Sequence, residues 1–533
     1  MCFFYIFYIF FFFLDQELLA HNTQIVLERT ILNIVEYYKN YPNIYFPIRS
    51  DQRGRLYCMP HFFNYQASEL SKALILFSKP GYIQKRDLKA FDYLKLYGAN
   101  CYGLSKKSNE EKIEWVDNNE LAIVNYKDSS LINEAKDKLL FLSFCMEYKR
   151  YIEFLYNEDS MTFSTYLPIQ LDATCNGFQH LALLSNEKIL FKELNLYVDI
   201  NDKTPYPRDF YIFLIYKLTI LLEGKIKDMS VKDLSETDKL LFESYKRLLA
   251  FGWERNHVKK AIMTLTYNAT DIAMVDYIKQ NLYLTDSKSD DTTWFAVSED
   301  NKDNLVTLKD LFLIVSLIKQ ITLSDFVKIK KLTKYLKNVA TLLNILELPI
   351  VWNLPNGLTI RQSYLETKTT AITPFMYDKS KVNIRVTIKD KYNKRKQVRA
   401  LMPNLIHSLD GGSLCLLAIK FFNNYPGMAQ FYSVHDCFGT TLDKIETLKT
   451  LLASVYTDIY SDNTYLERFD ASILDYIGNN TPGILDRKNR TIVLAGTKLK
   501  NNKYIILDID WVKNDKHLSK NLVKQIDSQY LLI

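Results

Sequence analysis

Two aspartates stand where a carboxylate could do chemistry. Asp172 ends an apolar run, "PIQLDATCNG", at a turn. Asp436 lies in "FYSVHDCFGTT", a β-prone run that we interpret as a strand entering a hairpin bend at its glycine. A buried ionised carboxylate is costly unless a positive group meets it. Either aspartate could simply cap a turn or pair with an arginine, since Asp is common in turns.

A metal ion is the other positive partner that these aspartates could meet. If the two strands are neighbours in one sheet, Asp172 and Asp436 converge although they are far apart in sequence. Mg²⁺ takes one or two protein carboxylates and completes its shell with water and phosphate oxygens. Two such ions about 3.5–4 Å apart would clamp the attacking and leaving oxygens of a phosphoryl displacement.

A second group of residues could hold a nucleotide. "ERNHVKKAIMTLTYNAT" contains Arg255, Lys259, Met263 and Tyr267 at steps of four, which predicts one side of a helix. The two cations could bind a triphosphate, and the tyrosine ring could contact a base or sugar. An amphipathic helix with a solvated basic face explains the same spacing equally well.

Further cations lie in two short segments. In "SDQRGRLY", Arg53 and Arg55 have strand spacing that suits phosphate contacts, the alternative being a surface ion pair with Asp51. In "YNKRKQVRA" (residues 392–400) cationic residues precede a predicted Pro-Asn turn. On charge alone this run is a solvated loop.

The elements that must position these residues are predicted to be mostly helical. "LPIVWNLPNGLTIRQSY" predicts a hairpin at its Pro-Asn-Gly turn, and "NLYLTDSKSDDTTWFAVSEDNKDN" predicts an acidic surface loop. The fold class is therefore α+β, with short strands near the acidic residues. Three- and four-residue apolar spacing predicts helices over residues 23–41, 85–155, 205–225 and 232–280, from the acidic loop to about 347, and from 402 onward.

Bulk composition sets outer limits. The chain has 533 residues, 48% of them hydrophobic and 24% charged, which indicates a globular protein of roughly three or four domain-sized units. A net charge of +7 permits a nucleic-acid partner but does not by itself indicate one. Seven cysteines without metal-site spacing argue against disulfides and structural zinc, and predict a reducing compartment.

The first 14 residues, "MCFFYIFYIFFFFL", are shorter than the ~20 apolar residues of a spanning helix. They lack the basic region and cleavage site of a signal peptide and the Arg and Ser of a matrix-targeting presequence. We interpret them as low-complexity sequence from an AT-rich coding region. We expect no stable membrane association.

Seven motifs occur in order along the chain: "DQRGRLY", "LKLYGANCYGLSK", "FLSFCMEY", "LPIQLDATCNGFQHLALL", "RNHVKKAIMTLTYN", "MPNLIHSLDGGSL" and "SVHDCFGTTL". Together they resemble the catalytic part of the bacteriophage-type single-subunit DNA-directed RNA polymerases, a group that includes mitochondrial enzymes. The resemblance covers roughly residues 25–533. The "TYN" sequence and the composition are most similar to mitochondrial linear-plasmid RNA polymerases of fungi or plants.

The resemblance implies template-directed transfer of ribonucleotides from NTPs to an RNA 3′ end with two Mg²⁺ ions. Asp172 and Asp436, helped by the backbone carbonyl of Ala173, would bind the metal. Lys259 would contact the triphosphate and could protonate the leaving pyrophosphate, with Arg255 beside it.

Other site residues follow from the same resemblance. Tyr267 and His407 would sense the ribose 2′-hydroxyl, which distinguishes RNA from DNA precursors. Lys106 would be a further phosphate contact, and Arg53 and Arg55 would touch the template–product hybrid. Asn268 replaces the glycine of phage enzymes and is expected to alter the end of the helix without touching the chemistry.

The implied architecture is a right-hand polymerase palm and fingers around a small antiparallel palm sheet. Because only about 50 residues precede "DQRGR", the N-terminal promoter domain and most of the thumb are expected to be missing. The "DSQYLLI" terminus is expected near the active site. The implied parts are 1–14 (apolar leader), 15–50 (lead-in helix), 51–250 (palm, first part), 251–347 (fingers), 348–400 (specificity-loop-like hairpin region, its basic run contacting duplex) and 401–533 (palm, second part, and C-terminal tail).

The expected partners are a DNA template, an RNA product, NTPs and an accessory transcription factor, and the chain is expected to be a mitochondrial monomer. Two other functions remain open. An A-family DNA polymerase would place a glutamate after the first aspartate, where "DATCNGFQH" has none. A truncated, inactive remnant of a plasmid gene would only bind nucleic acid.

Overall fold

The structure, a computed structural model, describes residues 2–197, 206–231, 233–285, 294–297, 304–373, 381–461, 464–488, 491–492 and 531–532. Within these residues the chain is mostly helical and carries small antiparallel sheets. The prediction of a mostly helical α+β fold is therefore confirmed.

The α-helices are α1 (Cys2–Tyr38), α2 (Glu69–Ala73), α3 (Leu88–Tyr102), α4 (Asn109–Asn118), α5 (Glu120–Val124), α6 (Leu131–Glu134), α7 (Lys138–Tyr156), α8 (Asn176–Ser185), α9 (Ile189–Glu193), α10 (Phe210–Ser230), α11 (Glu236–Ala250), α12 (Arg255–Met263), α13 (Asp271–Lys279), α14 (Leu308–Asp325), α15 (Val327–Ile345), α16 (Lys394–Asn424), α17 (Ile445–Tyr460) and α18 (Thr464–Asn480).

The strands are β1 (Ile48–Ser50), β2 (Leu56–Cys58), β3 (Gly81–Gln84), β4 (Thr162–Thr165), β5 (Ile169–Asp172), β6 (Tyr283–Thr285), β7 (Trp294–Ala296), β8 (Val306–Thr307), β9 (Ile350–Asn353), β10 (Thr359–Gln362), β11 (Leu365–Ile372), β12 (Val382–Tyr392), β13 (Phe431–Val434), β14 (Cys437–Thr440), β15 (Leu485–Asp486) and β16 (Thr491–Ile492).

A three-stranded antiparallel sheet, in the order β13-β14-β5, joins two distant parts of the chain. Its register pairs Cys437 with Asp172 and Phe438 with Leu171. Leu171 and Phe438 are both buried, so one face of the sheet packs into the core. This register carries the end of β5 to the β13–β14 turn.

The β13–β14 turn corrects one prediction. Asp436 does not lie within a strand that bends at its glycine; it lies, with His435, in the turn itself. Gly439 belongs to β14, where an added Cβ would lie 2.6 Å from the Tyr432 ring. The glycine therefore serves packing under a tyrosine, while His435 supplies the left-handed backbone of the turn, with φ of 58°.

Helix α16 corrects a second prediction, the turn at Pro403. Pro403 lies inside this helix of 31 residues. Buried Leu401, Leu405 and Leu409 anchor the helix on both sides of the proline, and it packs against α8, α15 and α17. Tertiary packing here outweighs the local cost of the missing N–H group.

Three further elements differ from expectation. The predicted leader and lead-in helix form one continuous helix, α1. The stretch predicted as a surface loop contributes β6 and β7, which form a small antiparallel sheet with β8, the strand just after it. The helix expected up to residue 347 is two helices, α14 and α15, which meet at the buried Phe326. The hairpin predicted at Pro-Asn-Gly is confirmed as β9–β10.

One helix among the described residues, α16, is long and apolar enough to cross a membrane. Its apolar window is 61% buried inside the protein. That burial is typical of a core helix, which satisfies the same criterion of length and composition.

Candidate active site

The two predicted metal-binding aspartates come together at one end of the central sheet. Asp172 is the last residue of β5 and pairs with Cys437, directly after Asp436. The backbone N–H of Ala173 donates to the carbonyl of Asp436 at 3.1 Å. The predicted convergence of the two aspartates on neighbouring strands is confirmed.

The electrostatics of this pair favour a cation. Burial raises the pKa of Asp436 to about 7, and the negative charges of Asp410 and Asp172 act in the same direction. A divalent cation would relieve this repulsion between carboxylates. In the part of the chain that the structure describes, no group of three or more His, Cys, Asp or Glu side chains could hold a metal ion. Two carboxylates fit Mg²⁺, which needs few protein ligands.

A cavity of about 1110 Å³ opens beside Asp172; Asp436 is not among the residues that line it. Asp172 and Ala173 line it on one side, and Lys106, Arg255 and Lys259 also line it. Burial lowers the pKa of Lys259, and the neighbouring charges of Arg255 and Lys106 lower it further. This concentration of positive charge beside two carboxylates suits an anion that carries a metal ion.

Tyr267 and His407 contact each other, with ring centroids 4.7 Å apart. Tyr267 is not on α12, as its spacing predicted. Helix α12 ends at Met263, and a 3₁₀ turn over Thr264–Tyr267 follows. The left-handed Asn268, with φ of 53°, ends this turn and directs the chain away.

The protonation of His407 follows from its neighbours. Burial and the charges of Arg55 and Arg53 lower its pKa to about 3, so the ring is neutral at ordinary pH. Arg53 Nη1 lies 2.7 Å from Nδ1 of His407. Because arginine only donates, Nδ1 accepts and the ring proton lies on Nε2. His407 can therefore donate a hydrogen bond from Nε2.

The two arginines of "DQRGR" are paired with carboxylates. Arg53 forms an ion pair with Asp51 at 2.7 Å, the alternative that the sequence had left open. Arg55 pairs with the buried Asp410 at 2.7 Å. Both lie in the turn between β1 and β2 rather than on a strand face, because Gly54 takes a left-handed φ of 88°. Their contact with a template–product hybrid stays a prediction.

Two carboxylates of the candidate site were not predicted from the sequence. Asp410 accepts from Arg55 and from Asn176, and it lies close enough to Asp436 to raise its pKa. Asp209 pairs with both Lys106 and Arg255. Asp209 precedes an apolar helical run in "RDFYIFL" and could have been found as a helix cap. The pairing of Asp410 has no local signal, since its partners are distant in sequence.

The C-terminal tail is described only at its end. Leu531 and Leu532 are buried, and Leu532 forms a β-bridge with Ala173. The expectation that the terminus lies near the aspartates is confirmed for these two residues. The preceding part of "DSQYLLI" lies outside the described residues.

Carboxylates at the end of a sheet, beside a cavity lined with cations, define the kind of site expected in a protein that handles magnesium-bound polyphosphates. A family model described as DNA-dependent RNA polymerase matches residues 84–521. Since this match spans most of the chain, the protein belongs to the DNA-dependent RNA polymerase family.

Individual relatives agree with this assignment. A protein of Podospora anserina named "Probable DNA-directed RNA polymerase" is 41% identical over 452 residues, 84% of this chain and 46% of the relative. A Neurospora crassa protein of the same name is 31% identical over 459 residues, 85% and 48% of the two chains. T7 RNA polymerase of Escherichia phage T7 is 24% identical over 462 residues, 83% and 50%. The chain thus spans about half the length of these curated relatives.

Proposed function

We propose that this chain is the catalytic core of a DNA-directed RNA polymerase, which adds ribonucleotides from NTPs to an RNA 3′ end on a DNA template. The observation that carries the proposal is the convergence of Asp172 and Asp436 beside the cavity lined by Lys106, Arg255 and Lys259. These residues come from distant segments, and each has the charge that its proposed role needs.

Two Mg²⁺ ions are the proposed cofactors. Asp172, Asp436 and the carbonyl of Ala173 would hold them, and the raised pKa of Asp436 supports a cation there. When bound, the ions would supply charge stabilisation for the phosphoryl displacement. Few protein ligands are needed, because phosphate oxygens and water complete the coordination of Mg²⁺.

The chain's own side chains would do the remaining work. Arg255, Lys106 and Lys259 would orient the triphosphate by charge and hydrogen bonds. The lowered pKa of Lys259 supports its role as proton donor to the leaving pyrophosphate, because an acid works best with a pKa near the operating pH.

Ribose selection would depend on the pair formed by Tyr267 and His407. The ring of His407 is neutral and carries its proton on Nε2, so His407 is suited to donate to a 2′-hydroxyl, a group that only ribonucleotides carry. The contact of Tyr267 with His407 would hold both rings against the sugar.

The proposed division into parts follows the right-hand polymerase. Residues 51–250 and 401–533 would form the palm, which includes the sheet of β5, β13 and β14, and residues 251–347 would form the fingers. Residues 348–400 would act as a promoter-specificity region. Within it, β11 and β12 form an exposed two-stranded ribbon, a shape that a duplex groove can admit.

Nucleic-acid contacts would extend along a groove between α15 and α16, which we call the basic groove. It has a volume of about 570 Å³ and an apolar floor of Ile345 and Val398. Four exposed cations line it: Lys337, Lys394, Arg395 and Arg399. Cations in the first turn of α16 oppose the positive end of its helix dipole, and a phosphate backbone would relieve that repulsion.

The proposed partners are template DNA, product RNA and NTPs, with an accessory transcription factor as a further partner of a monomeric chain. Transcription of mitochondrial or mitochondrial-plasmid DNA is the proposed setting. The support for that setting is the motif resemblance together with the two fungal relatives.

Primer extension on a preassembled RNA–DNA scaffold tests the function without needing a promoter. The parent, Asp172→Asn and Asp436→Asn would be compared with Mg²⁺ and either ribo- or deoxyribonucleotides. Each substitution should lower ribonucleotide addition by roughly a thousandfold, since a missing metal ligand removes several kcal/mol of stabilisation. Asp458→Asn, an exposed carboxylate paired with Lys420 on α16, is the matched control and should retain activity.

Each other outcome has a definite meaning. A preference for deoxyribonucleotides would replace this proposal with a DNA polymerase. A folded parent that binds the scaffold but extends nothing would indicate the inactive nucleic-acid-binding remnant. Full activity of either Asp→Asn variant would remove that residue from the metal site.

A further inference from the structure

We propose that Asp209 is a positioning residue for the triphosphate subsite, holding Arg255 and Lys106 in the orientation that receives the phosphate oxygens. This inference rests on the proposed function of the cavity beside Asp172. It concerns a carboxylate that would touch neither the nucleotide nor the metal.

One oxygen of Asp209 binds both cations. Its Oδ2 accepts from Nε of Arg255 at 2.6 Å and lies 3.1 Å from Nζ of Lys106. The side chain of Asp209 is only 7% exposed. Although burial opposes it, the charges of Lys106 and Arg255 lower the pKa of Asp209, so the carboxylate stays ionised.

The other oxygen fixes the carboxylate to the backbone. Oδ1 accepts from the N–H groups of Tyr211 and Ile212, at 2.9 and 3.3 Å, and so caps the N-terminus of α10. Helix α10 has 21 residues, and its capped N-terminus is a rigid support. These bonds fix the position of the carboxylate, which in turn orients the side chains of Arg255 and Lys106.

The geometry of Arg255 favours positioning over competition with the triphosphate. Asp209 uses only Nε, and the guanidinium also lies over the Tyr211 ring, 5.2 Å from its centroid. Within the described chain, the two terminal nitrogens of Arg255 have no hydrogen-bond acceptor, and the residue lines the cavity. These two nitrogens form the fork that binds phosphate in a bidentate manner.

Tyr211 ties the same support to the metal-binding end of the sheet. Its hydroxyl lies 3.3 Å from Sγ of Cys175, in the turn that follows Asp172. The start of α10 thus connects the segment carrying Lys106, the turn after β5 and helix α12. A shift of Asp209 would misplace the triphosphate relative to Asp172, and about 1 Å of misplacement can be costly in catalysis.

Asp209→Asn is the informative substitution, because asparagine is as good a helix cap as aspartate but cannot form the ion pairs. The first readout is binding of inorganic triphosphate with Mg²⁺, measured by calorimetry, which needs no polymerisation. We expect affinity to fall about tenfold, the usual scale for losing a charge-assisted hydrogen bond. In primer extension, KM for NTPs should rise by a similar factor with a smaller change in kcat.

Asp310→Asn is the matched control. Asp310 is also a buried carboxylate at a helix start: it accepts from the N–H of Thr307 in the capping box of α14 and pairs with an arginine, Arg247, but it does not line the cavity. It should lose a similar amount of thermal stability and keep triphosphate affinity. Unchanged or tighter triphosphate binding by Asp209→Asn would overturn the inference, as would an equal loss in both variants.

The two readouts separate this inference from the proposed function. A parent that extends primers while Asp209→Asn binds triphosphate and NTPs as the parent does would leave the polymerase function standing and refute the role of Asp209. A parent that extends nothing but loses triphosphate affinity in Asp209→Asn would refute the function and support the role. A parent that fails to bind triphosphate would refute the subsite.

Discussion

At the scale of single residues, the candidate site balances charges that would each be costly alone. Asp410 raises the pKa of Asp436, whereas Arg55 lowers it, and Arg55 and Asp410 are paired with each other. Burying an ion pair is tolerable only when the geometry and the surrounding hydrogen bonds are good. Asn176 supplies such a bond, donating to Asp410 at 2.9 Å. The Arg55–Asp410 pair keeps Asp410 close to Asp436, and the repulsion between these two carboxylates would favour the binding of a cation.

Lys112 is a buried cation outside the candidate site. It lies in α4 with 1% of its surface exposed, and burial lowers its pKa to about 8, with Lys106 and Lys449 adding to the shift. Because the folded state binds fewer protons than the unfolded chain between pH 8 and 10.5, stability should rise with pH across that window. Below pH 8 the full cost of burying the charge remains.

Lys112→Met should therefore stabilise the protein at about pH 7. Removing a pKa shift of this size would gain up to about 3 kcal/mol in the free energy of unfolding. Urea unfolding at about pH 7 and about pH 10 would measure it, and the gain should shrink at the higher pH. Lys107→Met, at an exposed neighbour paired with Glu111, should change stability by less than about 0.5 kcal/mol. A Lys112→Met variant less stable than the parent at neutral pH would contradict this prediction.

At the scale of elements, the site depends on a close approach between α16 and the β1–β2 turn. A Cβ added to Gly411 of α16 would lie 2.6 Å from the carbonyl oxygen of Gly54 and 3.1 Å from the backbone N of Arg55. Backbone cannot rotate out of the way as a side chain can. The absence of a side chain at Gly411 therefore lets Arg55 reach Asp410 on the same helix.

Gly411→Ala should separate these elements. The clash should lower the free energy of unfolding by about 1–3 kcal/mol, more than alanine gains in helix propensity, about 1 kcal/mol. Gly224→Ala in α10 is the control, since an added Cβ there meets no atom within 4 Å, and it should be neutral or stabilising. Thermal unfolding of both variants measures the difference. If Gly411→Ala and Gly224→Ala are equally stable, the β1–β2 turn moves away from the added Cβ at no measurable cost.

The elements also mark how far the sequence could predict the site. Asp172 at a strand end and the β9–β10 hairpin follow from local patterns, whereas the convergence with Asp436 depended on the assumption that two distant strands are neighbours. The turn at His435 was not predictable, because a histidine with positive φ has no local signal. Pro403 failed as a turn signal for the opposite reason, since buried leucines on both sides keep the helix intact. Pairings such as Arg55 with Asp410 are set by packing between distant segments.

At the scale of the whole molecule, net charge says less than its distribution. A value of +7 over 533 residues is mild, yet the cavity and the basic groove both concentrate cations on their surfaces. A polyanion would be attracted by the local electrostatic potential of these two surfaces, which is stronger than the net charge of the chain suggests. Affinity for nucleic acid should therefore depend on where a charge is removed.

Two pairs of lysines, with the same change in net charge, test this dependence. Lys337→Gln with Lys394→Gln neutralises the basic groove, and Lys239→Gln with Lys246→Gln neutralises exposed positions on α11. The groove variant should bind a DNA duplex more weakly, and the magnitude of the slope of log affinity against log salt should fall by roughly 1 for each phosphate that the variant no longer binds. The α11 variant should keep the slope of the parent, because its lysines lie outside the groove. Fluorescence anisotropy between about 50 and 200 mM salt gives both slopes, and identical slopes in the two variants would mean that the groove does not contact DNA.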